Sequence, residues 1–403
     1  MRNVMFVTPF PGRAMDYVHG AAGLDDVRLL GITQEAPGSG DASVFADLVT
    51  VASTDDPAQL VDAARVLESR HGRIHRVLGV RESLQVAVGE LRRALGVPGP
   101  GPDTAELFRN KARMKDELRR HGLPCARHRL LGSWADAEAM IAELGLPVVL
   151  KPLTGTNCES VWRIRTIDEL RDALVTLHAS PENPTLAEEM LVGGEFTFET
   201  ITIGGQVRFH SLARYHPTPL EVMETPGSPA VIVLPRDISG PEWSDASELG
   251  VRAVTALGLD TGFTHMEWFR HADGSIAIGE IAARPPSSFI DSMTGLAHDT
   301  DMCRAWARAV VDDAFDGPFP RRYAVGCVFL RGVGPGPVVR VTGVDRVHEL
   351  VGRRIVEAKL PEPGAVHSDA YEGNGYFIVR DPDTEVVTTA MTTIIETIGI
   401  EYS

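Results

Sequence analysis

The stretch His265-Met266-Glu267-Trp268-Phe269-Arg270-His271-Ala272-Asp273-Gly274-Ser275-Ile276-Ala277-Ile278-Gly279-Glu280-Ile281-Ala282-Ala283-Arg284 decides how the chain is read. Asp-Gly between two alternating runs is the strongest short signal for a β-hairpin. A two-residue Asp273-Gly274 loop places Glu267 directly opposite Glu280 on one face of the sheet. Cross-strand partners hold their Cβ atoms about 4.5–5.5 Å apart, so two carboxylates there repel unless a cation lies between them. Magnesium suits such a position, because it takes one or two carboxylates and completes its shell with phosphate and water oxygens. Steps of two from Glu280 reach Ala282 and Arg284, which puts a guanidinium on the same face. Its planar fork can hold two oxygens of an anionic substrate. Two plainer readings stand beside this one: a solvated acidic pair on an exposed hairpin, and an Arg284 that only pairs with one of the glutamates.

Upstream, the apolar run Pro147-Val148-Val149-Leu150 ends at Lys151 and leads into Pro152-Leu153-Thr154-Gly155-Thr156-Asn157-Cys158-Glu159-Ser160. A strand, a lysine and a loop of small and hydroxylated residues together offer a cation and free N–H groups to phosphates. The loop is poorer in glycine than a usual phosphate cradle. Next comes Leu186-Ala187-Glu188-Glu189-Met190-Leu191-Val192-Gly193-Gly194-Glu195, an apolar strand entering a glycine turn. Its carboxylates can accept from an adenine amino group or from ribose hydroxyls, while extended backbone meets the base edge. An acidic hinge facing water is the plainer alternative.

Working outward, residues 1–98 alternate short apolar runs with helical patterns. Val4-Val7, Val27-Ile32 and Val77-Val80 read as strands, and Asp56-Ser69 and Glu82-Leu95 as helices, which implies a small parallel α/β sheet. Gly-Pro-Gly-Pro at 99–102 marks a linker. Helices over Lys111-His121 and Trp134-Leu144 precede the strand ending at Lys151, and Gly204-Gly205 joins two alternating runs in a tight hairpin. The strand Ala324-Leu330 opens a last α+β segment. The expected units are 1–98, 99–187, 188–317 and 318–403.

The 403 residues carry 39 basic against 55 acidic side chains, a formal charge of -16, which argues against a nucleic-acid scaffold. No apolar window reaches the length of a membrane span, and Val4-Val7 is too short for the core of a signal peptide, so a cytoplasmic protein without membrane partners is expected. Cys125, Cys158, Cys303 and Cys327 lie far apart without a CxxC pair, suggesting neither a zinc site nor a disulfide framework.

Taken together, Lys111, Lys151 with its loop, Glu188 to Glu195, Glu267, Glu280 and Arg284 resemble the ATP-grasp superfamily in order and spacing over about residues 1–310. They are most similar to the branch of L-amino acid ligases and other carboxylate-amine ligases. The resemblance implies an α/β N-terminal domain, an α+β ATP-grasp fold and a small α+β C-terminal domain. It implies ATP with Mg2+, or Mn2+, as cofactors. Lys111 and Lys151 would contact phosphates, with Arg214 as a further candidate, under a closing loop that includes Thr154, Gly155 and Ser160. Glu188 would bind the adenine amino group, Glu189 and Leu191 would meet the base through their backbone, and Glu195 would hold the ribose. Glu267 and Glu280 would bind the metal, and Arg284 would stabilise an acyl phosphate. The implied reaction joins a small-molecule carboxylate to an amine with release of ADP, and a homodimer is compatible with it. An ATP-grasp kinase, a purine-pathway or carboxylase-like ligase, and a nucleotide-binding protein without catalysis are the alternatives. Ala282 departs from the asparagine of many relatives and removes one metal oxygen.

Overall fold

The computed structural model describes residues 1–9, 12–155 and 161–403. The N-terminal sheet is parallel, in the order Asp47–Thr50, Val27–Thr33, Arg2–Thr8, Ile74–Leu78. Val4 to Val7 are fully buried because helices cover both faces, so this strand reads as a continuous apolar run. Three elements of this domain escaped the sequence reading, one of them the single helical turn Ser39–Ala42. The strand Asp47–Thr50 is short and half exposed, which hides its period, and the helix Ala14–Ala22 follows without a side-chain cap. The third expected strand runs Ile74–Leu78 and stops short of Val80. The linker at 99–102 is also briefer than expected: a helix, Pro102–Arg109, starts at its last residue.

The small subdomain is a four-stranded antiparallel sheet ordered His128–Leu131, Thr185–Glu189, Val148–Lys151, Trp162–Ile164. Helices Trp134–Leu144, capped by Ser133, and Ile167–Thr176, capped by a Thr166/Glu169 box, supply the other half of its core. Val148 and Leu150 point into that core, so alternation sends Val149 and Lys151 to the other face. Glu188 pairs with Val149 across the ladder and shares that face.

The large sheet has eight strands, and its first four are Ile276–Ala282, Gly262–Arg270, Gly194–Ile203 and Gln206–His216. Gly204 and Gly205 both take positive φ, 57° and 72°, as a two-residue primed turn requires. The sheet continues through Ala230–Leu234 into Ala324–Leu330, Gly375–Asp381 and Ile355–Lys359. Hydrogen bonding thus crosses the boundary expected between 317 and 318.

The decisive hairpin needs a correction. The loop is five residues, His271 to Ser275, closed by the His271 N–H donating to Ser275 O at 2.9 Å. This shifts the register by one, so that Trp268 faces Ile278. A bulge between Glu267 and Trp268, with Gly279 as the extra residue, shifts it back, and Glu267 does face Glu280. The expected pair therefore arises from two departures that cancel.

The N-terminal domain docks where helix Ala14–Ala22 crosses helix Met302–Asp312. A Cβ on Gly20 would lie 2.7 Å from the Cys303 carbonyl carbon, closer than backbone allows. Gly20→Ala should therefore lower stability by about 1–3 kcal/mol and the Tm by several degrees in a thermal melt. An unchanged Tm would show that the two helices do not meet this closely.

Candidate active site

The helix Lys111–Arg120 starts at the Asn110 cap, whose side chain accepts from the Arg113 N–H. Lys111 and Lys115, one turn apart on the helix, both face the cleft between the small and large sheets. Lys111 Nζ lies 3.1 Å from Glu280 Oε1 and donates to Gly155 O at 3.0 Å. Lys151 Nζ lies 3.0 Å from Glu188 Oε2 and 3.8 Å from Glu280 Oε2. Lys115, with 0% of its side chain exposed, lies 3.0 Å from Glu188 Oε1 and also donates to the Gly279 carbonyl. Charges thus alternate in the order Lys115, Glu188, Lys151, Glu280, Lys111, drawing on one helix, the small sheet and the hairpin.

The protonation of these groups follows from that order. Burial alone would raise the Glu280 carboxyl, but Lys111, Lys151 and Lys115 outweigh it and hold it at about 2. Burial likewise works against Glu188, and Lys115 and Lys151 pull it below its usual range. Lys151 is raised because Glu188 and Glu280 overcome its desolvation, whereas in Lys115 burial wins and the ammonium is lowered. Three cations face two carboxylates, an arrangement that has positive charge left for an anion.

A cavity of about 630 Å³ opens beside this cluster. Lys111, Lys151, Glu188, Glu267, Glu280 and Arg284 all line it, so the site residues expected from four separate stretches converge. Glu189, Leu191, Glu195 and Gly155 line it as well. The Glu189 carboxylate turns outward, accepting from the Arg127 N–H and Nε at 2.7 Å each. Thr154 is exposed, and Ser160, with 156–159, lies outside the described residues.

Three expectations are corrected. Arg214 does not reach the cavity: it pairs with Phe196, shares the Phe196–Trp268 face of the sheet and lies exposed, while its neighbour Tyr215 points inward. Both Glu188 oxygens lie 3.0 Å from ammonium groups, so its carboxylate is committed to lysines and not open to an adenine amino group. Arg284 lies two residues beyond its strand, which ends at Ala282. Its Nε donates to Glu82 Oε2 at 2.8 Å and its Nη1 to Pro285 O at 2.8 Å, so only part of its fork remains for a substrate. The partner is thus Glu82 of the N-terminal domain and neither glutamate of the hairpin.

The sequence reading missed Lys115, Glu82 and the pair Glu199 and His265. His265 Nδ1 donates to Glu199 Oε1 at 2.9 Å, and Nε2 lies 3.6 Å from Glu267 Oε1. Burial alone would lower this imidazole, but the hydrogen bond to Glu199 and the Glu267 carboxylate close by hold it up at about 9. A step of two back from Glu267 was the available signal, since it reaches His265 on the same face.

Glu267 and Glu280 keep 33% and 25% of their side chains exposed, face each other and carry only oxygen donors, which fits magnesium. Glu195 is raised well above the carboxylate range by burial and then by the charge of Glu267, a sign of negative potential that a cation would relieve. Among the described residues no three carboxylate, imidazole or thiolate side chains converge closely enough to hold a metal unaided.

Residues 116–296 match the family model of the ATP-grasp domain. The uncharacterized protein y4rH of Sinorhizobium fredii is 25% identical over 371 residues, 89% of this chain and 75% of that protein. The L-arginine-specific L-amino acid ligase of Bacillus subtilis is 29% identical over 219 residues, 53% of this chain and 52% of that one, so the match spans about half the length of that relative. The L-amino acid ligase of Bacillus licheniformis has a similar fold, with a TM-score of 0.82 at 19% identity over 100% of this chain and 99% of that one. The chain carries an ATP-grasp domain over residues 116–296. No helix among the described residues is long and apolar enough to cross a membrane.

Two outcomes follow from the geometry. Lys115→Met should destabilise the protein by about 3 kcal/mol in urea unfolding, since it strips one of two cations from a buried carboxylate. Arg214→Ala should leave binding of a nonhydrolysable ATP analogue unchanged in calorimetry, and a large loss would return Arg214 to the site.

Proposed function

We propose that the protein is a carboxylate-amine ligase that activates a small, amino-acid-like carboxylate as an acyl phosphate and joins it to an amine. The observation that carries this reading is the convergence of Lys111, Lys151, Glu267, Glu280 and Arg284 on one cavity. In this reading Lys111 and Lys151 bind ATP phosphates, the main chain around Glu189 to Leu191 meets the base, and Glu195 holds the ribose. Thr154, Gly155 and Ser160 belong to the loop over the phosphates. Glu267 and Glu280 would hold Mg2+, or Mn2+, which supplies charge neutralisation of the phosphates when bound. The units 1–98, 99–187, 188–317 and 318–403 remain the proposed division of the chain.

A carboxylate is repelled by the triphosphate it must attack, so fixed cations have to hold both groups in line. Its oxygen bonds the γ-phosphorus, and the bond to the bridging oxygen breaks with ADP as leaving group. The amine nitrogen then bonds the acyl carbon, phosphate departs with the carbon–oxygen pair, and the proton shed by the amine can pass to that phosphate. The free edge of Arg284 stabilises the negative oxygen of the acyl phosphate and of the tetrahedral species. Glu82 fixes the guanidinium plane, which is how the N-terminal domain takes part.

The test uses the carboxylate identified by screening amino acids for phosphate release. With excess hydroxylamine the enzyme should form a hydroxamate together with ADP. Arg284→Lys should lower that rate on the order of a hundredfold while changing ATP-analogue affinity little, as for loss of one oxyanion stabiliser. A stable phosphorylated hydroxyl product without a trappable acyl group would overturn the ligase reading.

A further inference from the structure

The cavity wall away from the lysines is built from two rigid pieces. One is the loop after Arg284. Ser288 and Phe289 there take positive φ, 54° and 65°, a strained pair for non-glycine residues. The Phe289 ring is clamped between the Arg13 guanidinium at 4.0 Å and the Tyr376 ring at 4.2 Å. The other piece is the turn Ala370 to Asn374 of the C-terminal segment. Asn374 N–H donates to Leu330 O at 3.1 Å, and its side chain accepts from Ser368 N–H and donates to Val366 O at 2.8 Å. Arg331 donates to the Ala370 carbonyl. Tyr371 packs edge-on against Tyr215, with ring centroids 6.1 Å apart. So held, the turn presents Tyr371 and Glu372 to the cavity, facing the same void as Ser287, Ser288 and Arg284.

Seven glutamates line this cavity against four lysines and arginines. Each of those four cations already has a carboxylate: Lys111 and Lys151 within the alternating cluster, Arg163 with Glu224 at 3.3 Å, and Arg284 with Glu82. Among the glutamates, Glu188 and Glu280 face lysines, Glu189 accepts from Arg127, Glu221 accepts from the Thr218 N–H, and Glu267 faces His265. Among the described residues that leaves Glu195 and Glu372 without an ion pair or a hydrogen bond. Glu195 is buried beside the hinge. Glu372 is half-buried, flanked by tyrosine, and held by a turn whose bonds all come from its neighbours.

We infer that Glu372, with Tyr371 and Tyr215, forms a subsite for a positively charged side chain, so that the enzyme selects an amino acid substrate bearing an ammonium or guanidinium group. A lone carboxylate in a cavity that Tyr371 and Tyr215 also line suits such a cation, which the aromatic rings attract and the carboxylate neutralises. The inference rests on the ligase reading for the reaction, and it concerns only which substrate the cavity prefers. A neutral side chain of the same shape would leave Glu372 desolvated and unpaired, which is the source of the discrimination.

The test is calorimetry with arginine and with citrulline, its neutral isostere, on the full chain in the presence of magnesium and a nonhydrolysable ATP analogue. Arginine should bind about tenfold or more tightly than citrulline, and Glu372→Gln should abolish that ratio while keeping the affinity for the nucleotide analogue. Lysine against norleucine should behave in the same way. Arginine binding no better than citrulline, including binding of neither, or a ratio undiminished in Glu372→Gln, would overturn the subsite. Failure of hydroxamate trapping would count against the ligase chemistry and leave this ratio standing, so the two readings fail separately.

Discussion

Glu188 is a buried carboxylate and Glu280 a partly buried one, and three lysines are what make their burial tolerable. An ionised carboxylate in a dry interior is strongly destabilising unless cations surround it. Lys115 and Lys151 flank Glu188, and Lys151 and Lys111 flank Glu280. Because these groups come from the helix Lys111–Arg120, the small sheet and the hairpin, satisfying them brings three parts of the chain to one point. The capped helix, the alternation at Val148–Lys151 and the bulge at Gly279 all serve that meeting.

The same balance gives the site its chemistry. In the proposed reading a triphosphate entering the cavity would compete with Glu280 for Lys111 and Lys151. A divalent cation beside Glu267 and Glu280 would give the released carboxylate a new partner, so that phosphate and metal would favour each other's binding. On the far side of Glu267, the hydrogen bond to Glu199 and the nearby Glu267 carboxylate favour the protonated form of His265. Arg284 and Glu82 close the other end and tie the N-terminal domain to the cavity.

Groups that act through their own strand or loop were legible in the sequence. Lys151 was readable because Val148 and Leu150 set the alternation, and the Glu267–Glu280 pair because Asp273-Gly274 announces a turn. The pair was reached by an incomplete route, since the loop is longer and the Gly279 bulge restores the register, and a bulge leaves no mark in a two-residue period. Lys115 looks like any helical lysine until Glu188 and the Gly279 carbonyl arrive from 73 and 164 residues away along the chain. Glu82 and Glu199 are hidden for the same reason, because their partners lie on other elements. Arg214 shows the converse error: order along the chain suggested a phosphate ligand, and strand parity turned it to the opposite face. The Asp47–Thr50 strand was lost because its half-exposed residues carry little apolar contrast.

The exchange of Glu280 from lysine to metal is open to direct measurement by titrating a nonhydrolysable ATP analogue into the protein with and without magnesium. In the wild type magnesium should tighten binding strongly, because without it Glu280 holds the lysines that the phosphates need. In Glu280→Gln Lys111 loses its carboxylate, Lys151 keeps only Glu188, and one metal ligand is gone, so metal-free binding should strengthen and the magnesium enhancement should collapse toward unity. An enhancement of the same size in both proteins would contradict the account.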